Sequence, residues 1–379
     1  MKFTIQRDVF VQNIQHASKA ISSRATLPIL SGLKIVAFDD GITLTGSDSD
    51  ISIEAFIPAE QNEKEIITIE QPGSAVLQAK YFADIIKKLP EPLVEISVNE
   101  QYVTHIRSGN SEFHLNGQDP DEFPNLPEVE EGSTFQLKTD LLKALIRQTA
   151  FAVSTAETRP ILTGIHWGME NAVLTCTATD SHRLAMREAA VEGVDADMSF
   201  TNVVIPGKSL TELSKILSDS EEAVEVTVTN NQALFKAENM LFFSRLLDGN
   251  YPATQNMIPT TSKTNVNVPS KKLMSAIERA LLLSDGKNNV VNLKSLDQDR
   301  LEITSVTPEV GKVTEEVGAD SFEGEDLRIS FNGKNIMDAL RVIESEEVSI
   351  QFTGAMSPFI MRPADRDYML HLFSPVRTY

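Results

Sequence analysis

Four groups of residues in this chain have side chains suited to chemistry. Gly207-Lys208-Ser209 follows the apolar run Val203-Val204-Ile205-Pro206 and opens a helical stretch, as the end of a phosphate-binding loop does. Such a loop needs another glycine five residues before Gly207, so that backbone amides can wrap the phosphates. Asn202 stands there. An ordinary helix start, with Gly207 at the cap and Lys208 in the first turn, is the better reading. Asp180, Ser181 and His182 are the residue types of a hydrolytic triad, but neighbours on a turn point apart and cannot form a proton relay. A turn capped by Asp180 is expected instead. The six histidines (His16, His105, His114, His166, His182, His371) are scattered without zinc-ligand spacing, so no metal site is expected. The acidic stretches Ser47–Asp50 and Asp119–Glu122 fit no EF-hand pattern and read as solvated turns. No dinucleotide fingerprint, catalytic carboxylate pair or nucleophile elbow emerges. The chain reads as a non-enzyme with no cofactor.

The elements that position these residues repeat. Residues 1–127, 128–259 and 260–379 each open with a short polar strand, pass into an amphipathic helix, and carry a second helix near the middle. The first helices are expected over Asp8–Ala20, Lys138–Ala150 and Lys271–Leu283, with Ile14, Ile146 and Ile277 in register. The second are expected over Lys80–Leu89, Lys208–Leu217 and Lys334–Ile343, where Phe82, Leu210 and Ile336 align. Repeats one and two also share Leu27-Pro28-Ile29-Leu30-Ser31-Gly32 against Arg159-Pro160-Ile161-Leu162-Thr163-Gly164. A period near 130 residues (~130) is too long for a solenoid unit, so each copy should be a domain. Between the helices lie alternating, β-branched segments such as Ile42–Thr45, Ile51–Phe56, Val94–Val98, Tyr102–Arg107 and Val173–Thr179. The fold class is therefore α+β, with helices on one side of antiparallel sheets. The linkers Leu126–Gly132 and Ile258–Lys263 are proline-marked and read as extended and stiff.

Composition sets the outer limits. The 379 residues, 41% hydrophobic and 23% charged, describe a globular protein. The lone Cys176 excludes an internal disulfide and fits a reducing compartment. The opening Met-Lys-Phe-Thr-Ile-Gln-Arg has no apolar signal core, and no run reaches the length of a membrane span. A cytoplasmic protein with no membrane contact is expected.

Charge is divided unevenly. The net charge is −20, yet the six expected helices hold 14 Lys or Arg against 6 Asp or Glu. Those helices thus carry +8, and the remainder of the chain −28. Lysine favours solvated helix faces in any protein. The same sign bias on six helices of an acidic chain is instead the footprint of a polyanion partner. Arg24, Lys80, Lys143, Arg147, Lys208 and Arg279 are the candidates for phosphate contact.

The repeat, the basic helices and several strings together resemble the bacterial sliding-clamp family, the β subunit of DNA polymerase III, in its Gram-positive form. The strings are Leu27-Pro28-Ile29-Leu30, Arg159–Gly164, Thr177-Ala178-Thr179-Asp180-Ser181-His182-Arg183-Leu184, Val204-Ile205-Pro206 and Ser374-Pro375-Val376-Arg377. The resemblance runs the length of the chain. It implies three tandem repeats of the DNA-clamp fold, closing as a head-to-tail homodimer into a ring around double-stranded DNA. It implies Phe113 and Leu115 of one chain meeting Leu282 and Leu283 of the other. It also implies a pocket for short hydrophobic motifs of the replicative polymerase, the clamp loader, other polymerases and repair proteins. Matching positions in the central repeat are Leu162, Thr179, Ser181, His182, Leu184, Pro252 and Met257. In the last repeat they are Met356, Pro358, Leu372, Phe373, Pro375, Val376 and Arg377. Flexible methionines suit a site with many partners.

Two other readings compete. One is an enzyme built on Gly207–Ser209 or Asp180–His182, against which Asn202 speaks. The other is an acidic repeat scaffold that never encircles DNA, for which the charge of −20 speaks.

Overall fold

The computed structural model of the chain describes residues 1–22, 27–48, 50–129, 132–195, 197–219, 222–284, 286, 288–297 and 299–377. Six times a strand runs straight into a helix with no residue between. Lys2–Gln6 leads into α1 (Arg7–Ser18), Gly73–Gln78 into α2 (Ala79–Lys88), and Ser133–Lys138 into α3 (Thr139–Thr149). Phe200–Pro206 leads into α4 (Gly207–Ile216), Thr264–Pro269 into α5 (Ser270–Leu281), and Arg328–Asn332 into α6 (Gly333–Leu340). At the junctions into α1, α3, α5 and α6 the burial period changes from two to that of a helix. Val266 and Val268 alternate inward on their strand, then Leu273, Ala276, Ile277 and Ala280 line one face of α5. The aligned positions Ile14, Ile146 and Ile277, and Phe82, Leu210 and Ile336, are all buried. The repeat is thus a repeat of core positions. Expected and observed helix ends differ by one to three residues. α5 stops at Leu281, and Leu282 caps it in a helical conformation. Tyr102, expected to begin a strand, sits at φ 60° in the preceding turn.

The chain packs as two compact units. The first comprises residues 1–139 and 212–246. Its five-stranded sheet runs Ser111–Asn116, Val103–Ser108, Leu93–Val98, Lys2–Gln6, Ile67–Gln71 from edge to edge. Its eight-stranded sheet runs Ser133–Lys138, Ala223–Val228, Gln232–Ala237, Met240–Arg245, Ile51–Pro58, Gly41–Ser47, Gly32–Ala37, Gly73–Gln78. Strands from the first and second sequence repeats therefore share one sheet, joined where Met240–Ser244 pairs antiparallel with Ala55–Ile51. Phe10, Ile14 and Ala17 of α1 and Phe82 and Ile86 of α2 are buried in the core of this unit. Phe10 makes edge-to-face contacts with Phe3 and Phe82, ring centroids 6.0 and 5.6 Å apart. A Cβ at Gly46 would lie 2.2 Å from the carbonyl oxygen of Ala17, so only glycine lets the end of α1 approach that strand.

The second unit comprises residues 140–211 and 247–379. Its nine-stranded sheet runs Phe200–Pro206, Gly164–Glu170, Val173–Thr179, Arg183–Ala190, Met369–Phe373, Phe359–Pro363, Glu347–Phe352, Thr264–Pro269, Ser321–Gly324. Its four-stranded sheet runs Gly311–Gly318, Arg300–Thr307, Val290–Asp297, Arg328–Asn332. Again two repeats share a sheet, through Arg183–Arg187 paired with Phe373–Met369. The core beneath α5 and α6 includes Phe352, Phe359 and Phe373, with Phe359 5.1 and 5.4 Å from the other two rings.

The shared hexapeptide has a local physical cause. Pro28 and Pro160 each begin a 3-10 turn, where the missing amide hydrogen costs nothing. Ser31 and Thr163 close these turns by donating to the carbonyls of Pro28 and Pro160, at 2.6 and 2.7 Å. Gly32 and Gly164 follow because the neighbouring strand's valine occupies the Cβ space. Val76 Cγ1 would lie 2.4 Å from a Cβ at Gly32, and Val204 Cγ1 2.6 Å from one at Gly164.

Candidate functional site

In the second unit, neighbouring strands of the nine-stranded sheet bring a small apolar group together. Cross-strand register sets Thr179 opposite Leu184, Leu184 opposite Leu372, and Leu372 opposite Ile360. Leu184, Ile360, Leu370 and Leu372 form a buried cluster of their own, with Met186 and Ile258 packed at its margin. Met257, at the end of the Thr254–Met257 turn and next to Ile258, is exposed, as is Met356. Strand alternation divides the expected pocket residues. Leu372 belongs to this cluster, whereas its neighbour Phe373 points through the sheet into the core with Phe352 and Phe359. Leu162 is buried within its 3-10 turn, and its carbonyl accepts from the Ser154 amide at 2.8 Å. Pro358 accepts through its carbonyl from Thr353 Oγ1 at 2.9 Å.

The rim is built from hydrogen bonds. Asp180 Oδ1 accepts from the amides of His182 and Arg183, at 2.9 and 3.0 Å, which is the capping role expected of it. The turn holds Ser181 at φ 77° and leaves Ser181 and His182 exposed. Thr179 Oγ1 donates to the carbonyl of Arg183 and accepts from the Ser181 amide. The Ser374 amide donates to the carbonyl of His182 at 2.9 Å, and the Val376 amide to that of Ser330 at 2.7 Å. The first bond ties this C-terminal segment to the turn and the second ties it to the Arg328–Asn332 strand, with Arg377 exposed beyond them. Tyr251 Oη accepts from the Thr179 amide at 3.0 Å. Its ring stacks on His166, centroids 5.1 Å apart. Burial pushes the Tyr251 phenol up and the His166 imidazole down, so both remain neutral near pH 7.

Sequence reasoning missed two parts of this site. A cavity of about 330 Å³ is lined by His166, Thr177, Met186, Tyr251, Pro252 and Gln255, among others. Of the expected pocket residues it includes only Pro252. The second part is Arg183, which fixes the turn from behind. Its guanidinium donates to Asp180 at 3.0 Å, to Asp338 of α6 at 2.8 Å and to the carbonyl of Phe151 at 2.6 Å. Only 12% of its side chain is exposed. Beside it His371 is fully buried, 5.5 Å from the Phe151 ring.

The basic helix residues are surface residues. Lys80 of α2, Lys208 of α4, and Lys271 and Lys272 of α5 are exposed, while Lys143 of α3 is half-buried. Arg147 is held by Glu344, and Arg279 donates through Nε and Nη2 to the two carboxylate oxygens of Glu315, at 2.9 and 2.7 Å. These two arginines therefore present less free charge than their helix positions suggest. Arg24 lies outside the described residues. Gly207 begins α4 with Ser209 buried, so no phosphate cradle stands there.

Two apolar edges complete the surface. Ser111–Asn116 is an edge strand of the five-stranded sheet, with Phe113 39% exposed and Leu115 packed partly on the core. At the end of α5, Leu282 is 79% exposed and Leu283 half-buried. Gly311–Gly318 is an edge strand of the four-stranded sheet. Contrary to the scattered reading of the histidines, His105 and His114 face each other across adjacent strands, with Glu112 beside them. Among the described residues no helix is long and apolar enough to cross a membrane.

Three family models match the chain in succession. The DNA polymerase III beta subunit N-terminal domain matches residues 1–127, the central domain 136–253 and the C-terminal domain 255–377. The chain is 61% identical to a protein named beta sliding clamp from Halalkalibacterium halodurans, over the full length of both. It is 58% identical to the beta sliding clamp of Bacillus subtilis, also over full length. The crystal structure of the Bacillus subtilis DNA polymerase sliding clamp superposes with a TM-score of 0.97, covering all of both chains.

Proposed function

Because the chain belongs to the DNA polymerase III beta subunit family, we propose that it is a ring-forming processivity factor, a non-catalytic subunit that encircles duplex DNA and tethers the replicative polymerase. The observation that carries this reading is the full-length, three-domain match at 58–61% identity. Residues 1–127, 128–259 and 260–379 are its three clamp domains. Two chains joined head to tail present six such domains, with the basic helices toward DNA and the acidic sheets toward solvent. Phosphate contacts carry no sequence information, so a ring held by topology slides freely.

Ring closure is assigned to the two apolar edges. The open strand Ser111–Asn116, with Phe113 and Leu115, docks against Leu282, Leu283 and the edge strand Gly311–Gly318 of a second chain. Open edges with exposed apolar side chains support this, since such edges invite pairing. The Leu184–Leu372 face, with its rim at Thr179–His182, Pro252–Met257, Met356–Pro358 and Pro375–Arg377, takes short hydrophobic motifs of polymerases, the clamp loader and repair proteins. The buried Leu162 and Phe373 complete the residues assigned to this site. The protein acts in the cytoplasm, where bacterial DNA lies.

The test is retention on nicked circular DNA after loading by a clamp loader, followed by cutting at one site. Retention on circles in salt and loss from linear ends is the expected result. Persistent binding to linear DNA, or no association, rejects encirclement and favours a conventional binder or an acidic scaffold.

A further inference from the structure

We propose that the hairpin Val103–Ser108/Ser111–Asn116 carries a divalent transition-metal site of the zinc type, in which His105, Glu112 and His114 supply three donors. This inference is independent of the ring. It rests on register: His105 lies directly opposite His114, and their rings stand 4.1 Å apart at 72°. Glu112 precedes His114 by two residues and so projects from the same face of the strand. One ligand atom from each of the three residues lies within 4.8 Å of the others, and His114 Nε2 is 3.8 Å from Glu112 Oε1.

Zinc binds imidazole nitrogen and carboxylate oxygen at about 2.0–2.2 Å, which places tetrahedral donors roughly 3.3 Å apart. Closing from the observed spacing takes side-chain rotation alone, because Glu112 and His114 are more than half exposed. Two imidazoles and one carboxylate form a borderline-soft set that suits zinc over calcium or magnesium, with water completing the tetrahedron. Arg107 shares this face opposite Glu112, but Glu95 holds its guanidinium through both carboxylate oxygens, at 2.7 to 3.0 Å. The Glu112 carboxylate is left to the metal. Cys176, the one thiol, is fully buried, and burial pushes its ionisation far up, so it does not compete. A metal here staples the edge strand to its neighbour on the face opposite Phe113 and Leu115.

The test uses the full-length chain without an affinity tag, titrated with Co²⁺ and read by visible absorption. One equivalent per chain should give the intense bands of four-coordinate Co²⁺, and Zn²⁺ should abolish them. His105→Gln and His114→Gln should each weaken binding at least tenfold, and Glu112→Gln less. His16→Gln, on α1, should leave it unchanged. Circular dichroism of each variant establishes that it is folded. Absence of the bands, or bands that survive His105→Gln and His114→Gln in folded protein, overturns the assignment.

Discussion

His371 and Arg183 are two polar side chains taken largely out of water. Burial, with Arg183 adding repulsion, holds the His371 imidazole down to about 3. An unfolded histidine takes up its proton as pH falls below about 6.5, whereas the folded one refuses it until far lower. The associated stability is therefore complete above about 6.5 and is lost as pH falls toward 3, by about 2 kcal/mol at pH 5. His371→Leu removes this contribution. Its urea-denaturation stability should fall less between pH 7.5 and pH 5 than that of the parent. His16 and His166, also lowered by burial, preserve part of the slope in both proteins. Arg183 calls for a different outcome. Arg183→Ala strands Asp338 and the Phe151 carbonyl without their donor and should cost about 3 kcal/mol. The same variant should weaken peptide binding by loosening the Asp180 turn. Thermal melting and fluorescence anisotropy, read together, check both effects; an unchanged melting temperature would contradict this account.

At the scale of elements, the legible features were those coded locally. Phe10, Ile14 and Ala17, or Leu273, Ile277 and Ala280, announce a buried helix face by spacing alone. The Pro-Ile-Leu turns announce themselves by proline, hydroxyl and glycine. What depends on pairing between distant segments was not legible. Nothing local to Leu372 and Phe373 says that the first joins the Leu184 cluster and the second the core on the other face, because that follows from Arg183–Arg187 pairing with Phe373–Met369. His105 and His114 looked scattered for the same reason, since only the hairpin register sets them opposite each other. The acids that hold Arg147 and Arg279 come from Glu344 and Glu315, far along the chain. Two predictions belong here. Met257→Ala with Met356→Ala removes exposed, flexible apolar contacts without touching the buried cluster. A short hydrophobic clamp-binding peptide should bind the double variant about tenfold more weakly, or ~1.4 kcal/mol, with the melting temperature unchanged. Leu282→Arg places a charge where the second chain's edge is expected to dock. Sedimentation at micromolar protein should show dimer replaced by folded monomer, and a dimer of parental strength would exclude Leu282 from the contact.

For the whole molecule, the central fact is an acidic protein with basic helices. Net charge of −20 repels DNA at long range, and beyond a Debye length of about 8 Å in physiological salt that repulsion fades. Within that distance the helix faces govern. A ring gains nothing from tight phosphate ion pairs, because each must break for the ring to move, so many weak contacts serve better than a few strong ones. The pairing of Arg147 with Glu344 and of Arg279 with Glu315 fits that logic, since each arginine is partly neutralised by its own chain. The exposed lysines Lys80, Lys208, Lys271 and Lys272 should then dominate what electrostatic hold there is. Replacing all four with alanine should make the salt dependence of loading onto nicked circles shallower, by about 0.9 unit of log–log slope for each phosphate contact removed. Replacing Arg147 and Arg279 should change it little. Both variants should still run off cut circles and stay on closed ones, because the link is topological. If the arginine pair flattens the salt dependence as much as the four lysines, the ion pairs seen here open when DNA enters. The helices would then hold DNA by charges they conceal in its absence.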